Sequence, residues 1–313
     1  MGQRNEPFVP MAFMDRQDFI MGYFYLILQA LIFSFGGLMI KAAGTMVTTY
    51  LLSAFRFLIG VALLLLIQKI RTGRVRLVLT DKILIIGGLS KALHYLTENY
   101  GVMKGFSYGG ILVWPVQTIV VLLISVFIYH EKFSPRTIAG TIMCISGIGI
   151  VSWNGASPDV FLNSQATTPL AFVLAGIGAA GFSLAQKKRV NEMDTVELNS
   201  SIFTFGLIAN TFVLIPTGPH TTGAVNFPGV LSIVLLGSIT CFGFLLQAAA
   251  VKTVPLLIAT VIQSSTVILS IVWGVLFYGD AISLYVILGS ALFMAGILAI
   301  NIKPRAKNAK QAH

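Results

Sequence analysis

Charge is scarce in this chain. Only 10% of its 313 residues are Asp, Glu, Lys or Arg, against roughly 25% in an ordinary soluble domain. Hydrophobic residues make up 56%, and the mean hydropathy is +0.87. That balance excludes a water-soluble globule and calls for a lipid bilayer as solvent. Cysteine is nearly absent. Cys144 and Cys241 both lie inside apolar runs, which excludes a disulfide framework and metal-ligand spacing, so no metal and no cofactor is expected. The G-x-x-x-x-G-K-[ST] loop is missing, and with it ATP hydrolysis by this chain. There is no H-E-x-x-H, no G-x-S-x-G and no ligand-spaced histidine pair. No catalytic residue is assigned, and an intramembrane enzyme built on Ser90, His94 and Glu98 is disfavoured. No filter sequence or ring of like charges speaks for a channel. The net charge of +10 does not point to nucleic acid either, because the basic residues flank apolar segments instead of forming one stripe.

What the chain does have is apolar runs. A membrane span takes about 20 mostly apolar residues, and ten are expected, at 19–40, 48–68, 82–103, 107–129, 135–153, 169–187, 197–216, 228–250, 255–277 and 281–302. Asp15 and Asp18 precede the first run, which lacks a basic n-region and a small-residue cleavage site; it reads as a retained span, not a signal peptide. Ser134-Pro135 starts the fifth helix, Ser as a cap and Pro at the first helical position. Alternating between the two sides of ten spans places seventeen Lys and Arg on one side and only Lys41 and Lys104 on the other. Positive charge stays cytoplasmic, so both termini are expected there.

The second half of the chain repeats the first at a shift of 149 residues. Ile138-Ala139-Gly140 answers to Ile287-Leu288-Gly289, Gly147 to Gly296, Tyr129 to Tyr278, Gly88 to Gly237 and Phe33-Ser34 to Phe182-Ser183. Each copy holds five spans, an odd number, so the second must sit upside down in the membrane. The expected fold is an all-α polytopic membrane protein of ten transmembrane helices in two inverted five-helix repeats. Its organisation is an N-terminal tail 1–18, repeats at 19–153 and 169–302, an extracytoplasmic linker 154–168 and a basic tail 303–313.

Away from the span ends, three formally charged residues fall inside the membrane: Arg56, Lys91 and Glu98. Each costs about 2.5–3.5 kcal/mol at a helix centre on insertion scales, so they imply a polar cavity. Lys91, His94, Tyr95 and Glu98 recur at i, i+3, i+4 and i+7, one helical face. Arg56 lies at a depth that permits pairing with Glu98; a structural ion pair and a functional role both stay open for it, and Glu98 is read as functional. Lys91 either snorkels to the cytoplasm or serves coupling and gating with Glu98 and Pro115. Pro115 frees the carbonyl of Ile111 and kinks its helix, a break tolerated beside a watery cavity. The repeat maps Trp114 to Gln263, Pro115 to Ser264, Gln117 to Thr266, Tyr95 to Phe244 and Glu98 to Gln247. Glu98, Tyr95, His94, Trp114, Gln117, Arg56, Phe244, Gln247, Gln263 and Thr266 are the candidate substrate-binding set, although Gln263 or Ser265 could simply bond a neighbouring helix. Gly140, Gly147 and Gly149 with Gly289 and Gly296 read as close-packing contacts of peripheral fifth and tenth spans. Glu131 and Asp280 are equivalent and better read as helix-start residues than as gates.

These features resemble the EamA-type transporters of the drug/metabolite transporter superfamily. The likeness rests on the ten spans in two halves, Arg56-Phe57, Pro115, Tyr129-His130-Glu131 and the following Gly140 and Gly147. Ser264, where a proline is common, and Asp280, where a glutamate is, depart from the pattern. The resemblance implies a central cavity lined by spans one to four and six to nine, alternating access, small-metabolite substrates such as amino acids, and the bacterial inner membrane. The expected function is secondary transport of small polar or amphipathic metabolites, amino acids or related amines, by exchange or with protons as coupling ion. Arg56 would meet a substrate carboxylate and Glu98 an ammonium, provided the two are not paired with each other. The alternative is a cationic drug/proton antiporter. Substrate identity, direction of flux and monomer or homodimer stay open.

Overall fold

The computed structural model describes residues 16–104, 113–131, 133–153, 167–218, 220–278 and 283–301. The N-terminal tail up to residue 15, Gly109-Gly110, Lys132, most of the linker (154–166), Asp280 and the C-terminal tail lie outside the described residues. Within them the chain is helical, with one isolated bridge between Val47 and Thr221 and no strand. The helices are α1 (Arg16–Phe33), α2 (Gly36–Gly44), α3 (Thr49–Thr72), α4 (Lys82–Lys104), α5 (Val113–Phe127), α6 (Pro135–Trp153), α7 (Thr167–Arg189), α8 (Thr195–Leu214), α9 (Phe227–Thr253), α10 (Leu256–Gln263), α11 (Thr266–Tyr278) and α12 (Leu284–Asn301). A chain this apolar has helices because lipid offers no partner to a free backbone amide or carbonyl, and a helix satisfies both internally.

Six stretches are long and apolar enough to cross a membrane: Gln17–Gly44, Thr49–Thr72, Leu170–Arg189, Thr195–Thr217, Phe227–Thr253 and Leu256–Trp273. Val113–Phe127, Pro135–Val151 and Leu284–Ile300 are apolar and shorter. α4 has 23 residues, with Lys82, Lys91, Glu98 and Lys104 among them. The protein is a multi-pass membrane protein.

Polar side chains start and stop the helices. Ser134 Oγ accepts from the Thr137 amide at 3.1 Å, and its repeat partner Ser283 accepts from Val286 at 3.2 Å. Asp194 caps α8 through the amides of Val196 and Glu197, and Asn226 caps α9 through Gly229. α3 ends on Gly73, whose φ of +69° is open to glycine at no steric cost, and the Gly73 amide closes on the Lys69 carbonyl. Two expected spans are interrupted. The first breaks at Ser34-Phe35, between α1 and α2, and the ninth at Ser264-Ser265, between α10 and α11. At both breaks serine hydroxyls bond back to carbonyls of the preceding turn: Ser34 to Leu31 at 2.6 Å, Ser264 to Thr260 at 2.9 Å and Ser265 to Ile262 at 2.7 Å. Such bonds compete with the helical ladder. Pro115, where a kink was expected, sits in the first turn of α5, and the Ile111 carbonyl lies outside the described residues.

The packing repeats as the sequence does. α4 lies along α7 and touches α8; 149 residues on, α9 lies along α1 and α2 and touches α3. α5 packs on α7, and α10 and α11 pack on α1. α3 with α8 and α6 with α12 are pairs that map onto themselves. In the last of these a Cβ on Gly140 would lie 2.8 Å from the Gly296 carbonyl oxygen, and one on Gly147 would lie 2.6 Å from that of Gly289. Early meets late and late meets early, so α6 and α12 run antiparallel. Gly149, expected in this contact, has open space where its Cβ would be.

Asp81 ties one end of α4 to the end of α7. Its Oδ1 accepts from the Ile83 amide at 2.8 Å and its Oδ2 faces Arg189 Nε at 2.8 Å. Partial burial pushes this carboxyl up, but the Ile83 amide and the Arg189 guanidinium outweigh burial and hold it below the usual aspartate range.

Two outcomes are expected. Gly147→Leu forces backbone apart at the α6–α12 crossing and lowers the thermal midpoint in detergent by the equivalent of about 1–3 kcal/mol, whereas Gly149→Ala leaves it unchanged. A carboxyl with a depressed native pKa adds stability above its unfolded pKa of about 3.9 that is lost as pH falls through the lower native value. The deficit of Asp81→Asn in melting temperature is therefore present at pH 7 and shrinks as the pH is taken to about 3.

Candidate functional site

Close helix approach sets the site. A Cβ on Gly178 of α7 would fall 2.7 Å from the His94 amide nitrogen of α4, so only a bare α-carbon lets the two backbones meet here. One turn earlier, that approach sets the Ala175 carbonyl 3.1 Å from His94 Nδ1. α3, which also packs on α4, presents Ser53 and Arg56 from its buried face.

Arg56 and Glu98 are paired. Arg56 Nη1 lies 3.2 Å from Glu98 Oε2 and donates to Asn99 Oδ1 at 2.8 Å; Asn99 in turn donates to Ser53 Oγ at 2.8 Å. The guanidinium also lies over the Tyr95 ring, 3.6 Å from its centroid, and Tyr95 OH bonds Thr240 Oγ1 at 2.8 Å. The same Glu98 oxygen is 3.4 Å from His94 Nε2. A carbonyl only accepts, so Ala175 requires the proton on His94 Nδ1.

Lys91 does not snorkel. It is 1% exposed, and its ammonium lies 3.8 Å from the Phe244 ring centroid, 4.4 Å from Tyr95 and 4.9 Å from Phe182. Two of those rings come from helices packed on α4 and α3: Phe182 from α7, which lies on α4, and Phe244 from α9, which lies on α3.

A chain of amides runs beside these charges. Gln263 donates to Gln29 at 3.0 Å, Gln29 to Gln247 at 2.9 Å and Gln247 to Ser183 at 2.9 Å, and Gln117 reaches the same Ser183 oxygen at 3.1 Å. Five helices, α10, α1, α9, α7 and α5, are thereby joined. One end of the Gln117 amide has no partner among the described residues, and neither has Arg56 Nε.

These groups line a cavity of about 510 Å³ of empty space, solvent included. Arg56, Lys91, His94, Tyr95, Glu98, Trp114, Gln117, Phe244 and Gln247 all face it, together with Phe33, Phe182 and Ser183. Two expected members do not. Gln263 reaches it only through Gln29, and Thr266 bonds the Ala30 carbonyl at 3.3 Å. Pro115 is buried in α5 behind Trp114 and Gln117 and is not part of the wall. Asn99, Gln29 and Ser183 were missed. Ser183 was readable as the repeat partner of Ser34; Asn99 and Gln29 carry no such signal. Among the described residues none of α6 or α12 lines the cavity.

The profile of the EamA-like transporter family matches this chain twice, at residues 20–153 and 167–302. An uncharacterized transporter of Clostridium kluyveri is 22% identical over 284 residues, covering 88% of this chain and 91% of that protein. A crystal structure of a protein 18% identical superposes with a TM-score of 0.72 over 89% of this chain and 97% of the other. At that identity the likeness concerns the fold.

The Arg56 geometry predicts an asymmetry between its two partners. Arg56→Met leaves Glu98 and Asn99 Oδ1 without their donor and costs about 3–5 kcal/mol, as breaking a buried pair does. Glu98→Gln keeps an acceptor for Arg56 and is expected to lower the melting temperature less. Thermal unfolding of the two variants in one detergent checks the order.

Proposed function

The chain belongs to the EamA-like transporter family, and we propose that it is a secondary carrier working by alternating access. Its substrates are small polar or amphipathic metabolites, amino acids or related amines, moved across the bacterial inner membrane. The observation that carries this reading is the cavity: charged, amide and aromatic groups from α1, α3, α4, α5, α7 and α9 line one space inside an apolar helical body. Groups this costly to insert are retained where a polar solute needs them.

The reading includes ten spans. The six long apolar stretches, the three shorter ones and α4 make that number when α1 with α2, and α10 with α11, each count as one. It also includes inversion of the two halves, which the antiparallel α6–α12 crossing and the self-mapping α3–α8 pair support. Rocking of one half against the other would then expose the cavity to each side in turn. The contacts that must yield are those between halves around the cavity, such as Tyr95 to Thr240 and Gln117 to Ser183. Both termini, with the lysine- and arginine-rich loops, lie on the cytoplasmic side of this arrangement.

Glu98 is the coupling group in this reading, because it is a carboxylate in the cavity wall with a titratable imidazole, His94, 3.4 Å away. A cationic-drug antiporter fits less well: two buried cations, Arg56 and Lys91, stand beside a single carboxylate that both Arg56 and His94 already engage.

Saturable counterflow of a small metabolite is expected in proteoliposomes carrying the full chain, and uniform, non-saturating flux would argue for a channel. Glu98→Gln is expected to remove the response of transport to a pH gradient. Transport by Glu98→Gln with an unchanged pH response refutes the coupling role.

A further inference from the structure

The fate of the Lys91 ammonium bears on what enters the cavity. It is buried, it carries three N–H donors, and it lies over ring faces: Phe244, Tyr95 and Phe182. Rings attract a cation, but they accept no strong hydrogen bond. Among the described residues Lys91 has no hydrogen-bond acceptor and no carboxylate partner. The carboxylate in the same wall, Glu98, is engaged by Arg56 at 3.2 Å and His94 at 3.4 Å. Counting charge, Arg56 and Glu98 answer each other, which leaves the Lys91 ammonium facing the cavity with no group of opposite sign at ion-pair distance among the described residues. Arg56 has its Nη1 bonded to Asn99, yet its Nε is a buried donor without a partner.

We propose that Lys91 is the recognition residue for an acidic group on the substrate, so that the cavity takes small organic carboxylates with an apolar body and rejects amines that lack an acid. This rests on the carrier reading above and narrows it. The carboxylate enters the aromatic enclosure and supplies the acceptors that the ammonium lacks, with Arg56 Nε as a second donor. The apolar body lies against Phe33, Trp114 and Phe244, which adjoin one another at ring distances of 6.5 and 5.0 Å. The unpartnered end of the Gln117 amide meets a further polar group where the substrate has one, as an amino acid does. The roles assigned to Arg56 and Glu98 for a zwitterion therefore change: the acid goes to Lys91, and no free carboxylate awaits the ammonium.

The test compares acids and amines on one carbon skeleton, using the full-length protein. 3-Phenylpropionate is set against 3-phenylpropylamine and butyrate against butylamine, by thermal shift in detergent and by counterflow in proteoliposomes, with an amino-acid panel beside them. At least one of the two acids is expected to bind and exchange, and neither amine. Lys91→Met is expected to weaken acid binding about tenfold or more, as loss of a charge-assisted hydrogen bond does, while Lys91→Arg retains it. The ligand-free Lys91→Met protein is expected to melt no lower than the wild type, because an ammonium without acceptors has been removed; a purely structural lysine would give a lower value. If Lys91→Met does not fold, Lys91→Gln replaces it, and the wild-type preference for acid over amine decides. Exchange of the amines but not the acids overturns the proposal and leaves the carrier reading standing. So does exchange of acids or amino acids with undiminished affinity in Lys91→Met. Absence of exchange for every solute, amino acids included, refutes the carrier reading itself.

Discussion

A buried charge has to be answered inside the bundle, and the Arg56–Glu98 pair is where this protein meets that demand. Both side chains turn away from lipid, Arg56 from the buried face of α3 and Glu98 into the cavity wall on α4. Held 3.2 Å apart, with Asn99 and His94 completing the contacts, they permit an ionisable wall in a body that is otherwise apolar. The tight crossings follow from the same demand. Gly178 draws α7 onto α4, Gly88 admits α8, and the polar groups thereby gain partners from neighbouring helices and lose contact with lipid. Desolvation makes such pairs weak sources of stability, so their presence is better understood through the cavity they border.

Two kinds of polar structure meet in that cavity. The charged side is made by α3 and α4 and belongs to the first half of the chain; the repeat maps Arg56 to Phe205, Lys91 to Thr240 and His94 to Gly243. The amide side is shared, with Gln29 and Gln117 from the first half and Ser183, Gln247 and Gln263 from the second. A duplicated scaffold thus carries an unsymmetrical site. Lys91 touches both parts, since two of the rings around it, Phe182 and Phe244, come from α7 and α9. The broken helices point the same way. Ser34 and Ser264 interrupt α1 and α10 near the cavity, and the freed groups find cross-helix partners: Trp273 Nε1 bonds Ser34 Oγ at 2.6 Å, and Ser270 Oγ bonds the Ser34 carbonyl at 2.9 Å.

Much of this was readable in one dimension, for reasons of periodicity and solvent. Apolar run length alone yields the helices in lipid, and the spacing of His94, Tyr95 and Glu98 on one face of α4 yields three residues that do share the cavity. Ser134 was read as a cap and does accept from the Thr137 amide, and its equivalent at the 149-residue shift, Ser283, does the same for Val286. Other features escaped. The interruption of α1 was not foreseen, because Phe33-Ser34-Phe35 is as apolar as its surroundings and its effect depends on where the Ser34 hydroxyl turns. Gly149 was grouped with Gly140 and Gly147 on residue type, yet it faces open space. Gln263 and Thr266 were polar and well placed by the repeat, but their side chains are taken up by Gln29 and the Ala30 carbonyl.

What the sequence determined by itself is therefore whatever depends on local composition and spacing: a helical multi-pass body, a repeated contact pattern, and one charged face on α4. Only the tertiary structure decided how those charges are allotted. Glu98 goes to Arg56 and His94, while Lys91 is turned inward among three rings without an acceptor. The reason is distance: an ion pair or an aromatic enclosure joins residues from helices far apart in the chain, and spacing along one helix carries no information about which partner from another comes within about 4 Å.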